Sequence, residues 1–338
     1  MKQWTDVERK QLKVFVVVNF GITILMGFFM GISNRKGNDV TIFASAQMMY
    51  PAAAVILALL LTTGKEKRKP GKFFITYLVT AGISMLLTIG SVFFSSDMWF
   101  LAENYVLILG SILSWIMLLW EKKEVRDDYG LRFGGNKVKQ SFLMMLLFFV
   151  LYILRLILSS IPDGLGELRG IFIAPETWIT MVVLVINFYL SFIAFFGEEY
   201  GWRFFLQPML QKRFGLKGGV ILLGVIWGLW HLPLNVFLYS PDTWIYSILL
   251  HQITCITFSV FFGYAYCKTG NLWVPIVIHY INNNMGVVLT QSTDIGNQVY
   301  RWEDVLMLLV LNGIVFMPFL FTKVYKNCLL YTSDAADD

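Results

Sequence analysis

The chain has 338 residues, 57% of them hydrophobic and only 14% charged, with a net charge of +5 and a mean hydropathy of +0.64. Soluble domains carry about a quarter charged residues and do not need this much apolar side chain to fill a core. A water-soluble globule is therefore excluded and lipid is the solvent. The basic residues are scattered over loops rather than gathered on one amphipathic face, which gives them a topological role and gives no reason to expect nucleic acid as a partner.

Apolar runs of about 20 residues, the length that crosses a hydrocarbon core as helix, recur along the whole chain. They predict an all-α fold, a polytopic transmembrane helical bundle of about 8–10 spans. In chain order the runs fall near 12–32, 41–63, 73–94, 99–120, 141–160, 178–206, 218–239, 244–267, 272–292 and 304–322. The first follows Lys2, Arg9, Lys10 and Lys13 and is too long for a secretion signal, so it reads as a retained anchor. Alternate loops are strongly basic, with clusters at 65–72, 122–139 and 212–217, while the others hold only Arg35, Lys36, Arg169 and Arg301. By the positive-inside rule this predicts a multi-pass protein of the cell membrane with both termini cytoplasmic.

Residues 1–177 read as amino-terminal transmembrane helices, 178–292 as the functional core, 293–328 as a final transmembrane helix and 329–338 as an unstructured tail. The basic loop 121–140 is the expected boundary between a featureless bundle and the core, with everything chemically unusual after residue 178. Cys255, Cys267 and Cys328 show no close pairing and predict neither a disulfide nor a metal site. No cofactor is implied.

Ionisable side chains in lipid cost several kcal/mol, so those present are candidates for function. The first cluster is Glu198, Glu199 and Arg203 in FGEEYGWRFFLQPML. Glu199 and Arg203 are i,i+4 neighbours able to pair, and Glu198 points about a quarter-turn away, free for chemistry. The second is His231 in IWGLWHLPLN, with Trp227 one turn before it and Pro233 after it, where the proline ring should kink or unwind the helix. The third is His279 and Asn283 in VIHYINNN, again on one helical face, flanked by Asn282 and Asn284. His251 has no nearby motif and is unassigned; Trp202, Trp227 and Trp230 are expected only to form walls.

Interhelical hydrogen bonding explains single asparagines in such bundles. It does not explain a whole set of carboxylates, arginine and histidines whose burial lipid-facing leucines would avoid. A glutamate with a partner histidine can deprotonate a water that attacks a peptide carbonyl, which assigns this task to Glu198 and His231. The resulting oxyanion needs donors, a task that suits His279 and Asn283. The sequence has no HExxH, GxSxG or GxGD motif, which excludes the zinc, serine and paired-aspartate alternatives.

Three motifs, EExxxR at Glu198, Glu199 and Arg203, FxxxH at Trp227 to His231 with tryptophan for phenylalanine, and HxxxN at His279 and Asn283, occur in order. On them the chain resembles the CPBP family of CAAX-protease and bacteriocin-processing (Abi) membrane proteins, related to the Ras-converting CAAX endopeptidases. The resemblance covers about 178–292 and implies a glutamate-dependent intramembrane endopeptidase. It implies Glu198, His231, His279 and Asn283 as catalytic, Glu199 and Arg203 as supporting, no metal, and a peptide or membrane-protein substrate. A metal-dependent hydrolase or metalloendopeptidase, a non-catalytic scaffold or bacteriocin self-immunity protein, and a transporter are the competing expectations.

Overall fold

The computed structural model describes residues 3–328 other than 65, 95, 97, 134–136 and 163; the expected tail 329–338 lies outside them. Every regular element among the described residues is helical. Eight helices are long and apolar enough to cross a membrane, or nine if one bent pair is a single span. In chain order the helices are α1 (Asp6–Arg35), α2 (Thr41–Thr62), α3 (Gly71–Phe93), α4 (Met98–Trp120), α5 (Val138–Ser160), α6 (Pro175–Phe214), α7 (Leu216–Trp230), α8 (Leu232–Tyr239), α9 (Pro241–Thr269), α10 (Trp273–Thr290) and α11 (Trp302–Phe321). The polytopic bundle is as expected. The run at 272–292 forms α10 but is not among the eight, because His279 and Asn282 to Asn284 interrupt its apolar surface.

Local chemistry sets the ends. Thr5 accepts from the Glu8 amide and Glu8 accepts from the Thr5 amide, a reciprocal cap that starts α1. The same Glu8 meets Lys212 at 2.7 Å, pinning the start of α1 to the end of α6. Two short helices, Lys123–Asp128 and Gly166–Ile173, lie in connections. Side chains such as Val182, Val185 and Ile186 remain exposed on α6, as lipid-facing positions should.

Two expectations are corrected. Cys267 and Cys328 form a disulfide, with Cα atoms 5.3 Å apart, and only Cys255 is a free cysteine. A separation of 61 residues leaves no spacing cue for this pair. Nor is the amino-terminal half featureless: Glu103 of α4 is buried and accepts a hydrogen bond from Ser84 of α3. Arg155 also lies inside α5 and donates to Asn312 of α11 at 3.2 Å.

The amino-terminal helices press directly on the segment that carries the two glutamates. A Cβ on Gly201 would meet the ring and backbone of Pro51 in α2, so these helices cross at a point that admits only hydrogen. Gly201→Ala is expected to lower stability by about 1–3 kcal/mol through overpacking. Gly82→Ala, with open space around it, should leave the thermal midpoint of the detergent-purified protein unchanged or higher.

Candidate active site

The sequence GEEYG places the glutamates where α6 changes its winding. The α-helical part ends at Glu199 and Tyr200–Leu206 is a π-helix, a local insertion common at functional sites. The i,i+4 pair forms as the spacing predicts: Arg203 Nε lies 2.9 Å from Glu199 Oε2, with both side chains fully buried. The other Glu199 oxygen lies 2.8 Å from His279 Nδ1, so one carboxylate ties α6 to α10. Arg203 also donates to Ser259 of α9 at 3.2 Å and stacks over the Trp227 ring at 4.8 Å.

Glu198 is 2% exposed and takes no part in that ion pair. Its Oε2 accepts from the indole N–H of Trp202, at 3.2 Å, and of Trp227, at 2.7 Å. Both donors converge on one oxygen and Oε1 receives neither. The expectation that these tryptophans only form walls is therefore incomplete. The i,i+4 spacing of Glu198 and Trp202 was a usable signal for one of them; the Trp227 contact depends on how α6 and α7 cross.

His231 sits at the break expected from Pro233, where α7 and α8 are bent by 42°. Its Nδ1 lies 2.9 Å from the Trp227 carbonyl, which can only accept, so Nδ1 carries the proton and Nε2 keeps a lone pair in the neutral ring. The Trp227 ring lies 6.1 Å from that of His231 and 5.5 Å from that of His279, and so stands between the two histidines beside Glu198. His251, unassigned from sequence, stacks on His231 at 4.9 Å and on Tyr239 at 4.9 Å. Asn283 is exposed and accepts from Asn282 at 3.0 Å; among the described residues it makes no hydrogen bond to Glu198, His231 or His279.

Thus Glu198, Glu199, Arg203 and His279 meet in one bonded cluster and His231 joins it through Trp227, while Asn283 stands at its margin. Residues 177–285, which contain all of these, match the family of type II CAAX prenyl endopeptidases described as Rce1-like. Over that stretch the chain is similar to this family. The resemblance drawn from the three motifs is borne out over that stretch. A CAAX prenyl protease 2 from Methanococcus maripaludis is 32% identical over 126 residues, covering 36% of this chain and 46% of that protein, less than half its length. No solved structure matches the chain. No three His, Cys, Asp or Glu side chains among the described residues are grouped to hold a metal ion.

The buried ion cluster makes a direct demand on stability. Glu199→Leu strands Arg203 and His279 without their carboxylate and is expected to cost about 3–5 kcal/mol, whereas the double change Glu199→Leu with Arg203→Leu should recover part of the loss. Thermal unfolding of the detergent-solubilised variants reads this ordering.

Proposed function

We propose that the chain is an intramembrane glutamate-dependent endopeptidase. The observation that carries this reading is the buried Glu198, held through one oxygen by two indole donors, one of them from Trp227, whose carbonyl also holds His231 Nδ1. In the proposed reaction Glu198 accepts a proton from water with His231 as its partner, and the hydroxide adds to the scissile carbonyl. The tetrahedral oxyanion is met by donors from His279 and Asn283, and the proton held by the glutamate and histidine passes to the leaving amine as the C–N bond breaks. Glu199 accepts from His279 Nδ1 and holds the ring in place; in the proposed reaction His279 is the imidazolium, whose Nε2–H is the donor that the oxyanion meets. Asn283 completes this set only when its amide turns from Asn282 toward substrate, a rearrangement that catalytic groups commonly make between free and bound states.

The substrate class is a peptide or the terminus of a membrane protein. The name of the Methanococcus maripaludis relative makes a CAAX-terminal prenyl protein the first candidate to try. Comparing new protein termini by mass spectrometry in membranes containing wild type or Glu198→Gln, at equal abundance, tests the activity. Termini that appear only with wild type, and persist in strong chelator, are the expected result. Identical termini with an unchanged phenotype would leave a scaffold or immunity protein, and loss of cleavage in chelator would make the enzyme metal-dependent.

We also propose that the basic end of the bundle is cytoplasmic. The basic segments lie at helix ends that meet one another: Lys212 pairs with Glu8, Arg68 with Glu121, Lys137 donates to the Lys268 carbonyl and Lys217 packs over Phe321 at the end of α11. Cys267 and Cys328 lie at the same end, where a reducing cytosol would open the disulfide seen in the structure and leave two thiols. Alkylation in rapidly acid-quenched cells is therefore expected to label both; a bond found intact in the cell would reverse the orientation.

A further inference from the structure

His251 is the histidine that the proposed reaction leaves unused. An imidazole on a membrane helix is costly, and a leucine would fill the same space, so its presence in α9 needs a cause. Ser247, His251 and Cys255 recur every four residues and therefore share one face of α9. All three meet the broken segment at the junction of α7 and α8. Ser247 donates to Asn235 Oδ1 at 2.7 Å, the His251 ring stacks on that of His231 at 4.9 Å, and Cys255 Sγ lies 3.9 Å from His231 Nδ1.

The break explains why such support is needed. His231 stands just past the end of α7, where the axis bends by 42°, so the turn that follows it does not continue the helix that precedes it. The bond from Nδ1 to the Trp227 carbonyl at 2.9 Å fixes one point of the ring and leaves rotation about that line open. Two neighbouring rings close it. Trp230 meets His231 at 4.9 Å with its plane at 86°, and His251 meets it at 4.9 Å with its plane at only 29°. A ring turning about the Nδ1 bond would run into the nearly parallel face of His251.

His251 is itself held. Tyr239, the last residue of α8, stacks on it at 4.9 Å with the planes 8° apart, and the Tyr239 carbonyl accepts from the Gln298 amide at 2.7 Å. The same face of α9 also fixes the backbone beneath the ring. Asn235, whose Oδ1 takes the Ser247 hydroxyl, donates through Nδ2 to the His231 carbonyl at 3.0 Å. Ring plane and backbone of His231 are thus both set from α9, a helix that carries none of the three motifs.

We propose that His251 is a positioning residue for His231, holding the imidazole plane so that Nδ1 stays on the Trp227 carbonyl and Nε2 keeps its lone pair for the reaction. The assignment rests on the endopeptidase reading above and deepens it. His251 exchanges no proton in this role; the flat face of its ring is the working part. A phenylalanine in its place therefore serves, whereas a leucine, which fills the space without offering a face, does not.

The test is nuclear magnetic resonance of the full chain in detergent with isotope-labelled histidine rings. The chain has three histidines, so the His231 signals are assigned by their loss in His231→Gln, and those of His279 report that the fold is intact. Wild type and His251→Phe are expected to show His231 as one Nδ1–H tautomer, and His251→Leu to show both tautomers in exchange. On a peptide spanning a cleavage site found by the comparison of termini, His251→Leu should lose at least tenfold in kcat with KM within twofold. His251→Phe should stay within threefold of wild type in both. His231 signals unchanged in His251→Leu would overturn the assignment, as would a His251→Phe that fails as His251→Leu does. A wild-type His231 already divided between tautomers would overturn it without reliance on any variant's folding. The spectra need no turnover, so unchanged spectra with cleavage intact sink the positioning role alone, and the expected spectra with no cleavage by wild type sink the protease reading alone.

Discussion

The burial of one guanidinium governs the arrangement of the core. Arg203 is wholly buried, and an isolated charge there would cost tens of kcal/mol by solvation alone, so it is tolerable only with partners in fixed places. Glu199 supplies the countercharge and reaches His279 with its second oxygen; Ser259 takes one guanidinium donor and itself donates to the Val220 carbonyl at 2.9 Å. This chain of contacts runs from α10 through α6 and α9 to α7. Four helices are held in register by one charge, and Glu198 inherits its position from its neighbour.

The break at Pro233 serves the same site by a different route. A proline removes an amide donor, and backbone groups released inside a membrane must find partners within the protein. Here the Trp227 carbonyl is taken by His231 Nδ1 and the Trp230 carbonyl by Gln47 of α2 at 2.9 Å. The first of these bonds fixes the tautomer of the histidine; the second recruits the amino-terminal helices to hold the bend. Trp4 adds another such support by donating to the Met209 carbonyl at 2.9 Å. The spans that carry no motif therefore form the wall that keeps α6 and α7 in place.

Much of this was legible in the chain itself, and the parts that were not share a cause. Spacing alone gave the Glu199–Arg203 pair, and the chemistry of proline gave the bend after His231. A hydropathy average over about 20 residues absorbs one ionisable group, so Glu103 in α4 and Arg155 in α5 were invisible to it. The Cys267–Cys328 bond and the Trp227 contact to Glu198 arise from segments far apart in sequence, whose meeting depends on helix crossings that no local pattern encodes. Asn283 shows the opposite failure: its spacing from His279 is right, yet its amide is turned to Asn282.

The tryptophan at 227 explains why the second motif tolerates a departure from phenylalanine. Either ring fills the space between His231 and His279, and either could lie beneath the Arg203 guanidinium. Only the indole adds a donor, and at 2.7 Å it is the shorter of the two bonds that Glu198 receives. With Trp202 it loads a single oxygen, which fixes the plane of the carboxylate and leaves the second oxygen as the one available to a water. A phenylalanine would keep the packing but halve that constraint. The substitution therefore acts on the orientation of the proposed base, the property that decides whether a bound water can be deprotonated along the line of attack.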